Sequence, residues 1–250
     1  MYPKLSDLPS NLPFRVGFSR MADGCMSFPM ATDKEAVFEN RKRFFAKEGL
    51  PAERLVTFFT EHKDDITLMY DFPAGLNALR GERLAVTDAI ISRVPNAGVF
   101  LTFADCVPVI VYDKRQHRMA FAHVGWRSMA MRFTGKVLRH MQEVEGSRVE
   151  DLILVIGPCI KKESYLYRDP IQSQDPVWNG FLVPQPDGRV GINLVGFCLS
   201  ECQSAGLRPD QIYVEPMDTA ADAGQFSHYA GTEGNRPEKQ GRLVCYGFMG

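Results

Sequence analysis

The sequence predicts an α+β (mixed α/β) fold, with β-sheets layered under covering helices, and three features predict it. Two strongly apolar stretches, Leu101-Thr-Phe-Ala-Asp-Cys106-Val-Pro-Val-Ile-Val-Tyr112 and Met119-Ala-Phe-Ala-His123-Val-Gly-Trp126-Arg127, flank a charged connection over 113–118. Runs this rich in Val, Ile and Phe around a polar turn read as two neighbouring buried strands. Capped segments of helical period lie on both sides of them. Strands and helices alternate irregularly, which favours α+β over a regular βα repeat. No repeat, low-complexity tract or linker divides the chain, so 1–250 is expected to form one domain.

In order, residues 14–20 alternate like a first strand, and 22–27 carry turn chemistry. Thr32-Asp-Lys-Glu35 resembles a capping box opening a helix to about residue 47, closed by Gly49 with Pro51 beyond. Val37, Phe44 and Phe45 make its core stripe, which leaves Asn40, Arg41 and Arg43 off that stripe. Residues 54–60 and 83–92 read as strands, with a polar turn over 61–65 between them. Residues 129–144 have helical period through Phe133, Val137, Leu138 and Met141. Residues 152–156 form a short, wholly apolar central strand, and 164–167 fit a helix or a strand equally. Asn193 caps a helix that carries Phe197, Cys198 and Cys202 and ends at Gly206. Strands at 211–215 and 242–248 flank a long Gly-, Asn- and Pro-containing loop over 224–241.

At 250 residues and 45% hydrophobic composition the chain can bury a sizeable core. A net charge of -1 gives no global field for nucleic acid. The amino terminus lacks an apolar leader core, and no run approaches a membrane span. The six cysteines lack CxxC spacing, so free thiols in a reducing cytoplasm are expected rather than a disulfide framework.

Five histidines are present. His117 and His140 lie in polar surroundings and are expected to be solvated. His123 interrupts an apolar run, which suits either a core histidine or a ligand. Cys106 and His123, both expected on a rigid sheet, could bind metal, pair as nucleophile and base, or fill a core. With His62 at the end of a strand they give the three ligands of an open zinc site. Asp88 and Asp105 are candidate acceptors for an imidazole or a water. Arg41, beside Asn40, reads as part of a solvated basic helix face or as an anion ligand. Arg127, placed at the end of a buried strand, can stack on Trp126 and present its fork to phosphate.

These residues carry a resemblance. Thr102-Phe-Ala-Asp-Cys106-Val-Pro-Val and Ala122-His123-Val-Gly-Trp126-Arg127 look like the T-A-D-C-x-P and H-x-G-W-R signatures of the laccase-domain family. Phe38-Glu-Asn40-Arg41 resembles its E-N-R helix, Thr60-Glu-His62 its Q-x-H-G turn, and Thr87-Asp88-Ala-Ile-Ile its A-D-A-L-V segment. Ile156-Gly-Pro158 and Gly241-Arg242 match further short motifs, so the likeness spans nearly the whole chain. The chain departs at Thr60 and Lys63, in place of Gln and Gly. It departs again over Cys159-Ile-Lys-Lys-Glu-Ser164, where the family has Cys-Cys-Tyr-Glu, and at Met217-Asp-Thr219, where a C-T pair is usual. Phe226-Ser-His228-Tyr229-Ala230 replaces F-S-Y-R-R.

The resemblance implies a fold like that of toxin deamidases. It also implies a zinc-dependent purine nucleoside phosphorylase acting on adenosine, inosine or methylthioadenosine, with adenosine deamination as a side activity. Zinc, or copper at the same site, is then expected on His62, Cys106 and His123. Cys106, His123 and Asp105 are expected to be catalytic, and Arg41, Arg127 and Asn40 to hold phosphate or substrate. The partners are a nucleoside and phosphate, with neither nucleic acid nor membrane. Two other readings stand beside this one. A multicopper phenol oxidase needs a Cys/His copper site plus a His-rich cluster, about ten histidines in all, against the five present. A Cys106–His123 hydrolase or deamidase uses the thiol as nucleophile.

Overall fold

The computed structural model describes residues 2–250. The strands and helices run β1 (Phe14–Phe18), α1 (Lys34–Lys47), β2 (Leu55–Thr57), β3 (Ile66–Met69), β4 (Ala89–Ser92), β5 (Ala97–Phe103), β6 (Val107–Asp113) and β7 (Arg118–Val124). Then come α2 (Trp126–Ala130), α3 (Phe133–Arg139), β8 (Leu152–Ile156), β9 (Leu166–Tyr167), β10 (Leu182–Pro184) and β11 (Val190–Ile192). The chain closes with α4 (Leu194–Ser204), β12 (Ile212–Val214), α5 (His228–Thr232) and β13 (Leu243–Met249).

Two main sheets result. A four-stranded sheet has the order β1-β13-β5-β2, and a six-stranded sheet the order β12-β8-β6-β7-β4-β3; a small sheet of β10, β11 and β9 lies beside them. Strand alternation divides the core into layers. Val99, Leu101 and Phe103 of β5 and Ile110, Tyr112 and Phe121 of β6 and β7 pack between the two main sheets. Val107, Val109 and Val111, with Ala120, Ala122 and Val124, point the other way, under Phe133, Val137, Phe197 and Cys202 of the helices. Phe100, Val244 and Tyr246 face Phe44 and Phe45 of α1. The order is therefore helix, sheet, sheet, helix. Strands covered on both faces carry unbroken apolar runs, the pattern that β5 to β8 show in sequence.

The central stretch corrects one expectation. Residues 101–112 are two strands, not one. β5 ends at Phe103, the chain turns through Asp105 at φ +78°, and β6 begins in the other main sheet. The neighbouring pair is β6 with β7, antiparallel, with Pro108 opposite His123. The strand expected over 83–92 shrinks to β4, and β3 comes from residues read as following a polar turn. β3 is a half-exposed edge strand of four residues, too short for a legible period. The helix expected over 129–144 is broken by Arg132 in the left-handed region, and its last turn, His140–Val144, is π-helical. α1 is capped by Asp33, whose side chain accepts from the Ala36 amide, one residue later than expected. Residues 164–167 resolve as β9, and the loop over 224–241 contains α5. His117 is exposed as expected, its Nδ1 2.8 Å from the Tyr112 hydroxyl, whereas His140 is half-buried. All six cysteines are free thiols, and no helix among the described residues is long and apolar enough to cross a membrane.

Candidate metal centre and its two cavities

Two of the connections that cross between the main sheets each bring a polar side chain to the same place. One leaves β2 for β3 and carries His62; the other leaves β5 for β6 and carries Cys106. His123 comes from β7. Ligand-type atoms of the three lie within 4.8 Å of one another, the one such cluster among the described residues. His62 sits at φ +60°, a left-handed conformation that His tolerates better than most residues. The His62 and His123 rings meet edge to face at 4.8 Å.

One carboxylate organises two of these three residues. Asp88 is fully buried. Its Oδ1 lies 3.2 Å from Nδ1 of His123 and accepts the His62 amide at 3.0 Å, while Oδ2 accepts the Lys63 amide at 2.8 Å. Burial pushes the Asp88 carboxyl up, but His123 and these amides outweigh it and hold it below its ordinary value. With Nδ1 committed to Asp88, His123 presents Nε2 to the cluster, the arrangement that orients metal-binding imidazoles. Packing around the Cys106 sulfur pushes its thiol up, yet His123 and His62 more than reverse this and bring it to about 6. His123 shows the opposite balance: burial pulls it down, while Cys106 and Asp88 raise it to about 9. Two imidazoles and a thiol poised to ionise form a donor set that suits zinc.

Asp105 does different work from Asp88. Its Oδ1 accepts the Thr219 hydroxyl at 2.6 Å, its Oδ2 accepts the Tyr229 amide at 2.7 Å, and its carbonyl accepts the Ile160 amide. It ties three loops to the turn that holds Cys106 and makes no hydrogen bond to an imidazole among the described residues. Thr219 is itself held by Lys239, whose buried ammonium donates to the carbonyls of Thr219, Ala220 and Asp222. Gly125 completes the surround: a Cβ there would stand 3.3 Å from both Cys106 Sγ and His62 Cδ2. Lys239 escaped the sequence reading, and Gly125 entered it only as part of Gly-Trp-Arg. The Gly in Gly-Trp-Arg was the only available signal for the second, and nothing marked the first.

Two cavities border the cluster and share His62. The first, about 290 Å³, is walled by Trp126, Tyr165, Tyr167 and Tyr229 together with Cys106 and Arg127. The second, about 230 Å³, is lined by Arg41, Arg83 and Arg242 and by no carboxylate. Arg41 is buried rather than solvated, which corrects the basic-face reading. It lies over the rings of Phe28 and Phe100, its Nε donates to the Met26 carbonyl and its Nη1 to that of Ala78. Burial pulls its guanidinium down only to about 10, so it stays charged at neutral pH. Arg127 starts a helix rather than ending a strand, and lies 4.4 Å over Trp126. Asn40 is placed away from both cavities, its amide spent on the Cys25 carbonyl and on Arg43.

A model of the multi-copper polyphenol oxidoreductase laccase family matches residues 17–246. The chain belongs to that family. This laccase-family chain is 32% identical over 203 residues to a purine nucleoside phosphorylase of Mycobacterium tuberculosis, a stretch covering 78% of this chain and 75% of the relative. It is 24% identical over 246 residues to a purine nucleoside phosphorylase of Staphylococcus saprophyticus, across 93% and 90% of the two. The hypothetical protein YfiH of Bacillus licheniformis has the same fold, with a TM-score of 0.80 at 22% identity over 95% of this chain and 93% of that one. Neisseria meningitidis protein NMB0706 matches at a TM-score of 0.69 and 18% identity, over 96% and 95%. The mixed α/β architecture is thus shared with both of these structures.

Proposed function

We propose that this chain is a zinc-dependent purine nucleoside phosphorylase of the cytoplasm, releasing a free base and ribose 1-phosphate from adenosine, inosine or methylthioadenosine. The reading is carried by a His-Cys-His cluster at the junction of an aromatic cavity and a carboxylate-free arginine cavity. The names of the relatives support it. His62, Cys106 and His123 would hold the ion, and zinc so bound supplies Lewis acidity at the junction, chemistry that also suits adenosine deamination as a side reaction.

The protein's own part is positioning and charge. Arg41 is fixed by two carbonyls and two rings, so its charge costs little reorganisation when phosphate arrives. Arg83 and Arg242 complete a clamp for the nucleophile, and Arg127 can approach from the other cavity. In the reaction, a phosphate oxygen bonds to the ribose anomeric carbon as the bond from that carbon to the purine nitrogen breaks. The electron pair leaves with the purine, which takes up a proton from solvent. Asp88 keeps His123 and the His62 turn aligned throughout, and Asp105 does the same for Cys106.

The test is metal analysis of the protein as isolated, joined to a nucleoside-plus-phosphate assay of wild type and Cys106→Ala. About one zinc per chain in wild type and loss of turnover in the variant are expected; full turnover by Cys106→Ala would falsify the reading.

One observation favours a second reading, a Cys106 nucleophile with His123 as base: Asp88 orients that imidazole as the third member of a triad does. Iodoacetamide separates the two. Alkylation of Cys106 in the zinc-loaded protein favours the hydrolase; protection by zinc favours the phosphorylase. In the zinc-free protein the thiol's lowered pKa keeps it a thiolate below the usual range, so the alkylation rate should rise through about pH 6.

A further inference from the structure

The aromatic cavity has a wall whose occupant is still unassigned. We propose that Tyr165, Tyr167 and Tyr229 form the subsite for the purine ring, an inference that rests on the phosphorylase reading. The three rings lie 5.4 to 5.5 Å apart between centroids, with interplanar angles of 74°, 90° and 76°. Three planes this steep to one another meet as the corner of a box. A flat heteroaromatic ring laid on one tyrosine meets the edges of the other two, which satisfies stacked and edge-to-face preferences together.

The corner is anchored to the centre. Tyr229 donates its hydroxyl to the Leu166 carbonyl, which fastens it to the strand of Tyr167, and its amide to Asp105, next to Cys106. Tyr165 accepts the Ile192 amide on its carbonyl and so is tied to the neighbouring strand. A ring seated there is therefore held in fixed register with the residues that surround the reacting bond. Charge sorts the two substrates between the cavities. The arginine cavity draws phosphate. The aromatic one sets Asp105 and Glu233 against the single Arg127, whose guanidinium is already laid on Trp126. A neutral planar group fits that balance and an anion does not. At about 290 Å³ the space lies close to the lower end of small-molecule sites and is enough for a nucleobase.

The experiment compares wild type with Tyr167→Ala and Tyr229→Arg in two measurements. Steady-state kinetics should show the KM for adenosine rising about tenfold, the typical loss of one base-stacking partner, with the KM for phosphate unchanged. Calorimetric binding of free adenine to the zinc-loaded protein, without phosphate, should weaken by a similar factor. Tyr229→Phe, which keeps the ring, should hold adenine nearly as wild type does and shows that the wall still folds. Unchanged adenosine KM and adenine affinity in folded variants overturn the proposal, as does a rise in phosphate KM alone. If wild type binds adenine at this wall but turns over no nucleoside, the phosphorylase reading falls and the subsite stands.

Discussion

Asp88 reaches both histidines of the cluster, one through its imidazole and one through the backbone of its turn. Asp88→Asn keeps the size and one acceptor oxygen but loses the charge that favours the metal-binding tautomer. Zinc affinity, read by competition with a chromophoric chelator, should fall about 10–100-fold while the fold is retained. Gly125 makes a different demand, since its backbone needs no positive φ but its missing side chain leaves room for the thiol. Gly125→Ala places a methyl at the close edge of contact with Cys106 and His62. Its zinc affinity should drop by about tenfold, with a melting temperature near wild type; an unchanged affinity means that the ligand set has slack.

At the scale of elements, legibility followed burial. β6, β7 and β8 stood out in the sequence because both of their faces are covered, and α4 because Asn193 and Gly206 mark its two ends. Asn193→Ala removes the acceptor for the Gly196 amide and should lower the unfolding free energy by about 1 kcal/mol in urea titration. The misreadings have physical causes too. The break between β5 and β6 was hidden because Ala104 and Cys106 are as apolar as strand residues, and the left-handed turn falls on Asp105, which tolerates it. α2 and α3 share one periodic stripe across Arg132, so periodicity could not reveal the interruption. In the site, the three ligand-type residues were legible as chemistry. The burial of Arg41 was not, because it depends on carbonyls of Met26 and Ala78 that lie far away in sequence. Asp88 was visible as a candidate acceptor; its hold on both histidines emerges only from the fold.

Across the whole molecule, the three arginines of the second cavity come from distant parts of the chain: α1, the segment before β4, and the residue just before β13. Arg83 is the exposed member, so Arg83→Ala should fold normally and raise the KM for phosphate about tenfold, while the adenosine KM stays constant. Equal changes in both constants would place phosphate elsewhere. The placement of the cluster has a mechanical side as well. His62 and Cys106 lie in two of the crossings between the main sheets, and His123 lies inside the six-stranded sheet. A cation gripped by all three would act as a rivet through the seam between two plates. Its tightness and the alignment of the plates become one quantity, so any force that shears the sheets, including strain from a filled cavity on either side, is felt as a change in how firmly the rivet holds.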